Sequence, residues 1–369
     1  MRVAALDLFA LAVPAEPPVR TSFGVMLRRS ALLVRTRDAD GAHGWGEIWC
    51  NFPARAMAAR KALAEDVFAP LAVGPQFDGP EAAHAHLAAR THVLALQTGE
   101  PGTFAQVLAG IDQALWDMAA RKAGRPLWMF LGGTRADVAT YASGLGPEGA
   151  DKQVHAKRAE GYDAFKLKIG FAPERDRANL RALREAAGPE ATLMADANQA
   201  WSVETACDRA AGLGEFGLDW LEEPIPADRP AAEWARVARA APTDLAAGEN
   251  LRNDDFESAM GEGAVRVLQP DIAKWGGFTR CLPLAKRAMA AGLRFCPHYL
   301  GGAVGLAASA HLLAAAGGDG RLEIDAQPNA LRDRLLPGFP VVRAGRLALP
   351  DRPGLGYDPD PSFLASVSA

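Results

Sequence analysis

The 369-residue sequence predicts an α/β protein in which a closed parallel barrel follows a small α+β unit. From about residue 137, eight short β-like runs alternate with Ala-rich helical segments at roughly 20 to 30 residue intervals, the repeat of a β/α barrel. An open doubly wound sheet is the competing reading, but eight regular units without a GxGxxG turn argue against it. The chain also exceeds the length that one simple core usually fills, so a large barrel or two domains is expected.

The elements follow in order. The opening MRVAALDLFALAV has the look of a signal peptide, yet Asp7 interrupts it and no small-residue cleavage site follows, so it reads as a first strand. RRSALLVRTRDADGAHGWGEI gives two strands around a turn at Asp38, Asp40 and Gly41. Apolar residues three and four apart predict helices over 54–71, 79–90 and 103–122, the last stopped by Gly124 and Pro126. The barrel runs are 138–144, 164–170, 192–198, 219–224, 245–250, 265–271, 293–298 and 321–325. The Pro- and Gly-rich tail does not read as another barrel unit and is expected to return to the N-terminal unit. The expected domains are therefore 1–130, 131–336 and a C-terminal segment 337–369.

Composition narrows the function. A net charge of -4 without a basic stripe points away from nucleic acid, and no apolar run is long enough for a membrane span. Cys50, Cys207, Cys281 and Cys296 are widely spaced, form no CxxC pair, and read as reduced thiols of a cytoplasmic protein. No GxSxG elbow or GxxxxGK[ST] loop is present.

Nearly every barrel run ends in a polar or charged residue, and in a parallel barrel that end is the functional mouth. Asp196, Glu222 and Glu249 close three successive runs at intervals of 26 and 27 residues. Singly, each reads as a helix N-cap or a surface charge. Three in register repel one another unless a cation lies between them, and hard oxygen ligands suit Mg²⁺. Asn198 shares the direction of Asp196, whereas Glu223 is expected to point outward to a structural ion pair. Lys166 and Lys168 share one face of the second run; beside a cation and each other, their pKa is expected to fall toward that of a base. The bland alternative is a pair of snorkelling surface lysines. Asp271 and His298 end neighbouring runs, where the carboxylate can fix the imidazole tautomer. His311 lies in an apolar helix and is expected to pack. Glu323 is expected to stay protonated beside the cluster and donate a hydrogen bond, with a salt bridge to Arg321 as the alternative. Substrate identity is assigned to cap loops at 15–28 and 49–55, where Arg20, Arg28 and Trp49 could recognise hydroxyls, a ring or a second carboxylate.

These residues lie in AGIDQALWDMAARKAGRPLWMFLGG (109–133), KLK (166–168), DANQAW (196–201), EEP (222–224), AGEN (247–250), QPDIAKWGG (269–277), PH (297–298) and LE (322–323). In this order the chain resembles the mandelate racemase and muconate lactonising enzyme branch of the enolase superfamily, in particular its mandelate racemase subgroup. The resemblance implies a (β/α)7β barrel with an N-terminal α+β capping domain completed by the C-terminal tail. It also implies Mg²⁺ on Asp196, Glu222 and Glu249, Lys168 as the base on one face of a carboxylate substrate, and the His298–Asp271 dyad on the other. Lys166 and Glu323 would contact the substrate carboxylate or enolate. Acid-sugar dehydration is the first reading, with a racemase or epimerase of a 2-hydroxy acid second and a non-catalytic carboxylate-binding protein as the remote alternative. A muconate-type cycloisomerase fits less well because that branch has a lysine in place of the dyad; Lys274 is the secondary candidate there. A homo-oligomer, of the order of an octamer, is expected from the resemblance.

Overall fold

A computed structural model describes residues 1–21, 24–261 and 263–369. Its first layer is an antiparallel sheet of β1 (Val3–Thr21), β2 (Gly24–Asp38) and β3 (His43–Ile48). Asp38 builds the turn before β3, its Oδ1 accepting from the amides of Asp40 and Ala42 at 3.0 Å each. The expected loop at 15–28 is instead the arm of a β-hairpin, in which Val19 pairs with Met26 and Arg20 with Val25. Residues 22 and 23 of that stretch lie outside the described residues. Helix Pro101–Lys122 packs closely on β3 because Gly44 and Gly46 bring its backbone against theirs; a Cβ at either would meet the carbonyls of Ala114 or Gly110. Helix Pro80–Thr98 runs past its expected end at 90, with Val93, Leu94 and Leu96 exposed. Those apolar residues bury no face, so hydrophobic spacing gave no cue, and the helix ends only at Gly99 with φ of 67°.

The barrel follows the eight expected runs: β4 (Asp137–Leu145), β5 (Ala164–Lys168), β6 (Thr192–Asp196), β7 (Leu218–Glu222), β8 (Asp244–Ala247), β9 (Val265–Leu268), β10 (Arg294–Phe295) and β11 (Arg321–Asp325). β4 to β10 are parallel neighbours in chain order, and β11 returns to pair with β4. At the β10–β11 seam the Arg321 amide donates to Cys296 Sγ at 3.4 Å. A helix connects each strand to the next, which gives the (β/α)7β form.

Strand alternation determines what fills the barrel. Tyr141, Ala164, Met194, Trp220, Ala246, Val267 and Cys296, one from each of β4 to β9 and from the end of β10, form an isolated buried apolar cluster. Two residues farther along the same inward faces stand Ser143, Lys166, Asp196, Glu222, Gly248, Gln269 and His298. The apolar plug is therefore capped by a polar layer at the C-terminal mouth.

The tail meets the N-terminal unit, as expected, from Gly354 onward, where Leu355 N donates to Asp117 Oδ1 at 2.6 Å and Arg121 NH1 to Asp358 Oδ2 at 3.2 Å. β12 (Val342–Arg343) and β13 (Arg346–Ala348) form a hairpin that adds antiparallel to β4 of the barrel. Beyond it, Ala12 N donates to Val367 O at 3.0 Å and Ala369 N to Ala10 O at 2.8 Å, joining the chain end to β1. The cap is fixed to the barrel at helix N-termini. Buried Glu47 accepts from Gly302 N at 2.6 Å and Gly305 N at 2.9 Å, where helix Ala303–Ala316 begins. Asp112 accepts from Thr279 N at 3.1 Å and its hydroxyl at 2.5 Å beside helix Gly277–Ala290. No described helix is long and apolar enough to cross a membrane.

His311 packs as expected, accepting from Trp128 N at 3.0 Å through Nδ1, with Nε2 3.2 Å from Leu355 O. Burial pushes its pKa from 6.5 down to about 4, against the Leu355 hydrogen bond. Below 6.5 the unfolded chain takes up a proton that the folded chain refuses, so this contribution is whole above 6.5 and lost as pH falls toward 4. Its limit is about 3 kcal/mol. Urea unfolding from pH 7 to 4.5 should show His311→Gln losing less stability than the parent chain over that interval; equal slopes would contradict the assignment.

Candidate active site

The β5 lysines divide by depth. Lys166 is fully buried, with Nζ 2.6 Å from Glu222 Oε2 and 2.7 Å from Glu323 Oε1, and 5.2 Å from the centre of the Tyr141 ring. Burial opposes its charge, but Glu222 and Glu323 raise its pKa well above the ordinary value. Lys168, one alternation nearer the mouth, reaches Asp196 Oδ2 at 2.5 Å. Its pKa is also raised: burial and the like charge of Lys166 push down, and Asp196 outweighs them. Each ammonium faces a carboxylate at contact distance, and the expected fall in lysine pKa is one that a cation on those carboxylates would bring.

The carboxylates form a continuous network. Asp196 and Glu222 are register partners on β6 and β7, and Glu249 lies two residues past β8. Glu222 Oε2 also accepts from Gln269 Nε2 at 2.8 Å and faces Trp220 Nε1 at 3.4 Å. Burial and then Asp196 push Glu222 up to about 7. Asp196 accepts from Asn198 N at 2.7 Å and Asn198 Nδ2 at 3.1 Å. Glu249 Oε2 lies 2.9 Å from Lys274 Nζ and 3.4 Å from His298 Nε2; despite burial, His298 and Lys274 hold it well below the usual range. Glu223 does not turn outward as strand alternation predicts. Its φ of 35° redirects the chain, and its carboxylate accepts from Asn250 Nδ2 at 2.9 Å, with burial and then Glu249 raising its pKa.

His298 and Asp271 are joined by Nδ1 to Oδ2 at 2.8 Å and by a backbone bridge beyond the ends of β9 and β10. Burial would keep the imidazole neutral, but Glu249, Glu323 and Asp271 raise it to about 9. Glu323 is not the protonated donor expected. Its oxygens accept from Ser143 Oγ and from Tyr299 N at 3.2 Å, and against burial the charges of Lys166 and His298 hold it at about 2. Arg321 is not its partner either, reaching Asp163 and the Thr140 carbonyl instead.

A cavity of about 320 Å³ opens above this network. Lys168, His298, Glu249, Glu323, Asn198 and Lys274 meet there with Val19, Arg20, Trp49 and Asn51 of the cap. Lys166, Asp196, Glu222 and Asp271 lie beneath its lining, and Arg28 is exposed away from it. Lys274, three residues past Asp271, reaches the cavity by stacking 5.2 Å from the Trp49 ring centre and bonding Asn250 Oδ1 at 2.9 Å. Sequence reasoning missed Ser143, Gln269 and Asp325; the first two were findable by counting two residues on from the apolar plug.

Residues 5–132 match the mandelate racemase / muconate lactonizing enzyme N-terminal domain, and residues 150–363 the enolase C-terminal domain-like family. The chain belongs to the mandelate racemase/muconate lactonizing enzyme family of the enolase superfamily. It is 34% identical to D-galactarolactone cycloisomerase of Agrobacterium fabrum over 97% of this chain and 96% of that one. It is 31% identical to arabinonate dehydratase of Saccharolobus solfataricus over 71% and 72%. A mandelate racemase/muconate lactonizing enzyme from Bordetella bronchiseptica RB50 superposes with a TM-score of 0.94 at 50% identity, covering 100% and 99% of the two chains. A racemase from Streptomyces coelicolor A3(2), solved with bound magnesium, superposes at 0.90 with 27% identity, both chains being covered fully.

Whether this family member's own residues suit a cation is a matter of charge. Among the described residues no three acidic, histidine or cysteine side chains converge at metal-holding distance as they lie, and Glu222, Asp196 and Glu249 are met by Lys166, Lys168 and Lys274. Yet six carboxylates, Asp196, Glu222, Glu223, Glu249, Asp271 and Glu323, face only Lys166, Lys168, Lys274 and His298. Burial first, and then Asp196 for Glu222 and Glu249 for Glu223, raise these two carboxyls. Hard oxygens on adjacent strand ends with uncompensated negative charge fit a divalent cation.

Lys166→Met should leave Glu222 and Glu323 buried without their counter-ion and cost on the order of 3–5 kcal/mol. Urea unfolding in chelator should show that loss, and adding Glu323→Gln should recover part of it; an unchanged midpoint in Lys166→Met would contradict the network.

Proposed function

We propose that this enzyme removes the proton alpha to the carboxylate of a small acid with Mg²⁺, and that its reaction is dehydration of an acid sugar to a 2-keto-3-deoxy acid. The observation that carries this is that Lys168 and the Asp271-held His298 reach one cavity from different strands, over a floor of carboxylates. Asp196, Glu222 and Glu249 would hold the cation. Mg²⁺ there supplies positive charge toward a substrate carboxylate that becomes dianionic on losing its α-proton.

The chain's own groups do the rest. In its neutral form, which a cation on Asp196 would favour by taking that carboxylate from the ammonium, Lys168 takes the α-proton on its side of the substrate. Asp271 holds His298 Nδ1, which leaves Nε2 to deliver a proton to the departing β-hydroxyl; the C–O bond breaks, water leaves and the enol becomes the keto acid. Lys166 offsets part of the floor's negative charge from below. Asn51, Asn198, Gln199, Asn250 and Gln327 line the cavity with amides suited to hydroxyl groups, which favours a polyhydroxy acid over an apolar one. The arabinonate dehydratase relative supports the same reading. A second reading rests on D-galactarolactone cycloisomerase: if the β-leaving oxygen belongs to a ring, the same steps open it and no water departs. If His298 instead returns the proton to the α-carbon, the outcome is racemisation.

A panel of aldonates, aldarates and their lactones with Mg²⁺ in deuterated water should yield a 2-keto product; exchange with inversion alone would select the racemase, and no exchange across the panel would revive a carboxylate-binding role. In the active case, Lys168→Met should lower exchange from one face by roughly 10²–10⁴-fold. His298→Asn should stop product formation while sparing exchange through Lys168. Calorimetry should find Mg²⁺ binding to the parent chain lost in Glu222→Gln; unaltered binding would remove Glu222 from the ligand set.

A further inference from the structure

The arm of the β1–β2 hairpin brings Val19 and Arg20 to the cavity wall, beyond a register shift between Pro14 and Val19. At the base of that arm Arg29 pairs with Val13 in the ladder, and its side chain turns toward the barrel. There its NH2 lies 2.7 Å from Oδ2 of Asp325, the last residue of β11, with the two side chains 3% and 6% exposed. Asp325 itself lines the cavity, two residues beyond Glu323. The pair therefore links a cap strand to a barrel strand within the wall of the site.

Stability does not account for it. Among the described residues Arg29 Nε and NH2 and Asp325 Oδ2 make no hydrogen bond, and Arg29 NH1 reaches Met26 Sδ at 4.0 Å. A buried ion pair so incompletely bonded returns little of its desolvation cost, and apolar side chains of similar volume hold a fold as well or better. What apolar packing lacks is a fixed correspondence between one position on the cap and one on the barrel. We infer that Arg29 and Asp325 are positioning residues that register the cap hairpin over the cavity, so that Val19 and Arg20 meet the distal part of the substrate.

The decisive comparison is between Arg29→Met and the double variant Arg29→Met/Asp325→Met, each in the full chain with Mg²⁺. Arg29→Met alone strands a buried carboxylate and should melt earlier. The double variant should regain the parent melting temperature, yet hydrogen exchange of peptides from 10–21 and 24–32 should remain roughly tenfold faster than in the parent, with barrel helices unchanged. Arg29→Lys, which keeps the charge, should restore part of the protection. Parent-like hairpin exchange in the double variant would overturn the inference, as would a double variant as unstable as the single one. This arm needs no substrate, so it stands apart from the proposed reaction on which the second arm rests. With an acid found by the panel, Arg29→Met, which leaves the cavity lining in place, should show KM raised about tenfold with kcat within about threefold, and the double variant should keep that KM rise. Recovery of KM together with stability would mean that the pair is structural only.

Discussion

Burial of Lys166 between Glu222 and Glu323 is the interaction on which the barrel mouth depends. An ammonium with no solvent contact persists only because two carboxylates meet it, and those carboxylates persist because it is there. The arrangement ties β5, β7 and β11 together at one height, immediately above the apolar plug of Tyr141, Met194 and Trp220. Everything nearer the surface inherits its charge balance from this point. Asp196 is left to Lys168 and Glu249 to Lys274, and the carboxylates of the mouth still outnumber the lysines that meet them. A site built this way is prepared for a cation and an anionic substrate together.

The cap repeats the same economy of charge at its borders. Glu47 and Asp112 are buried carboxylates placed where barrel helices begin, so backbone amides with no partner inside their helices satisfy acids from another domain. Burial pushes Glu47 up and Asp112 up to about 7 even so. These joints fix the body of the cap on the barrel. The hairpin arm beyond Pro14 is a separate matter, since it projects past them, and Arg29 is the buried charge that connects its base to the cavity wall.

The legible part of the molecule was the part written in local pattern. Short β-like runs recurring between Ala-rich helical segments located all eight barrel strands, and the spacing of Asp196, Glu222 and Glu249 brought acids to one rim. His298 and Asp271 met as their strand-end positions implied. Glu223 escaped because a single positive φ overrides alternation, whereas Lys274, a secondary candidate from the sequence, reaches the cavity beside Trp49, more than two hundred residues earlier in the chain. The hairpin at 15–28 read as a loop because its prolines masked a pairing that resumes only after a register shift.

The sequence by itself determined which side chains face inward and at which end of each strand the polar ones fall, because both follow from backbone periodicity within a few residues. Tertiary structure decided their partners and therefore their charge states. Glu323 accepts from its neighbours because Lys166 and His298 converge on it, and the lysines are drawn toward the charged form because carboxylates of other strands lie within 3 Å. Electrostatic energy depends on through-space distances between residues far apart in sequence, and those distances exist only once the barrel has closed.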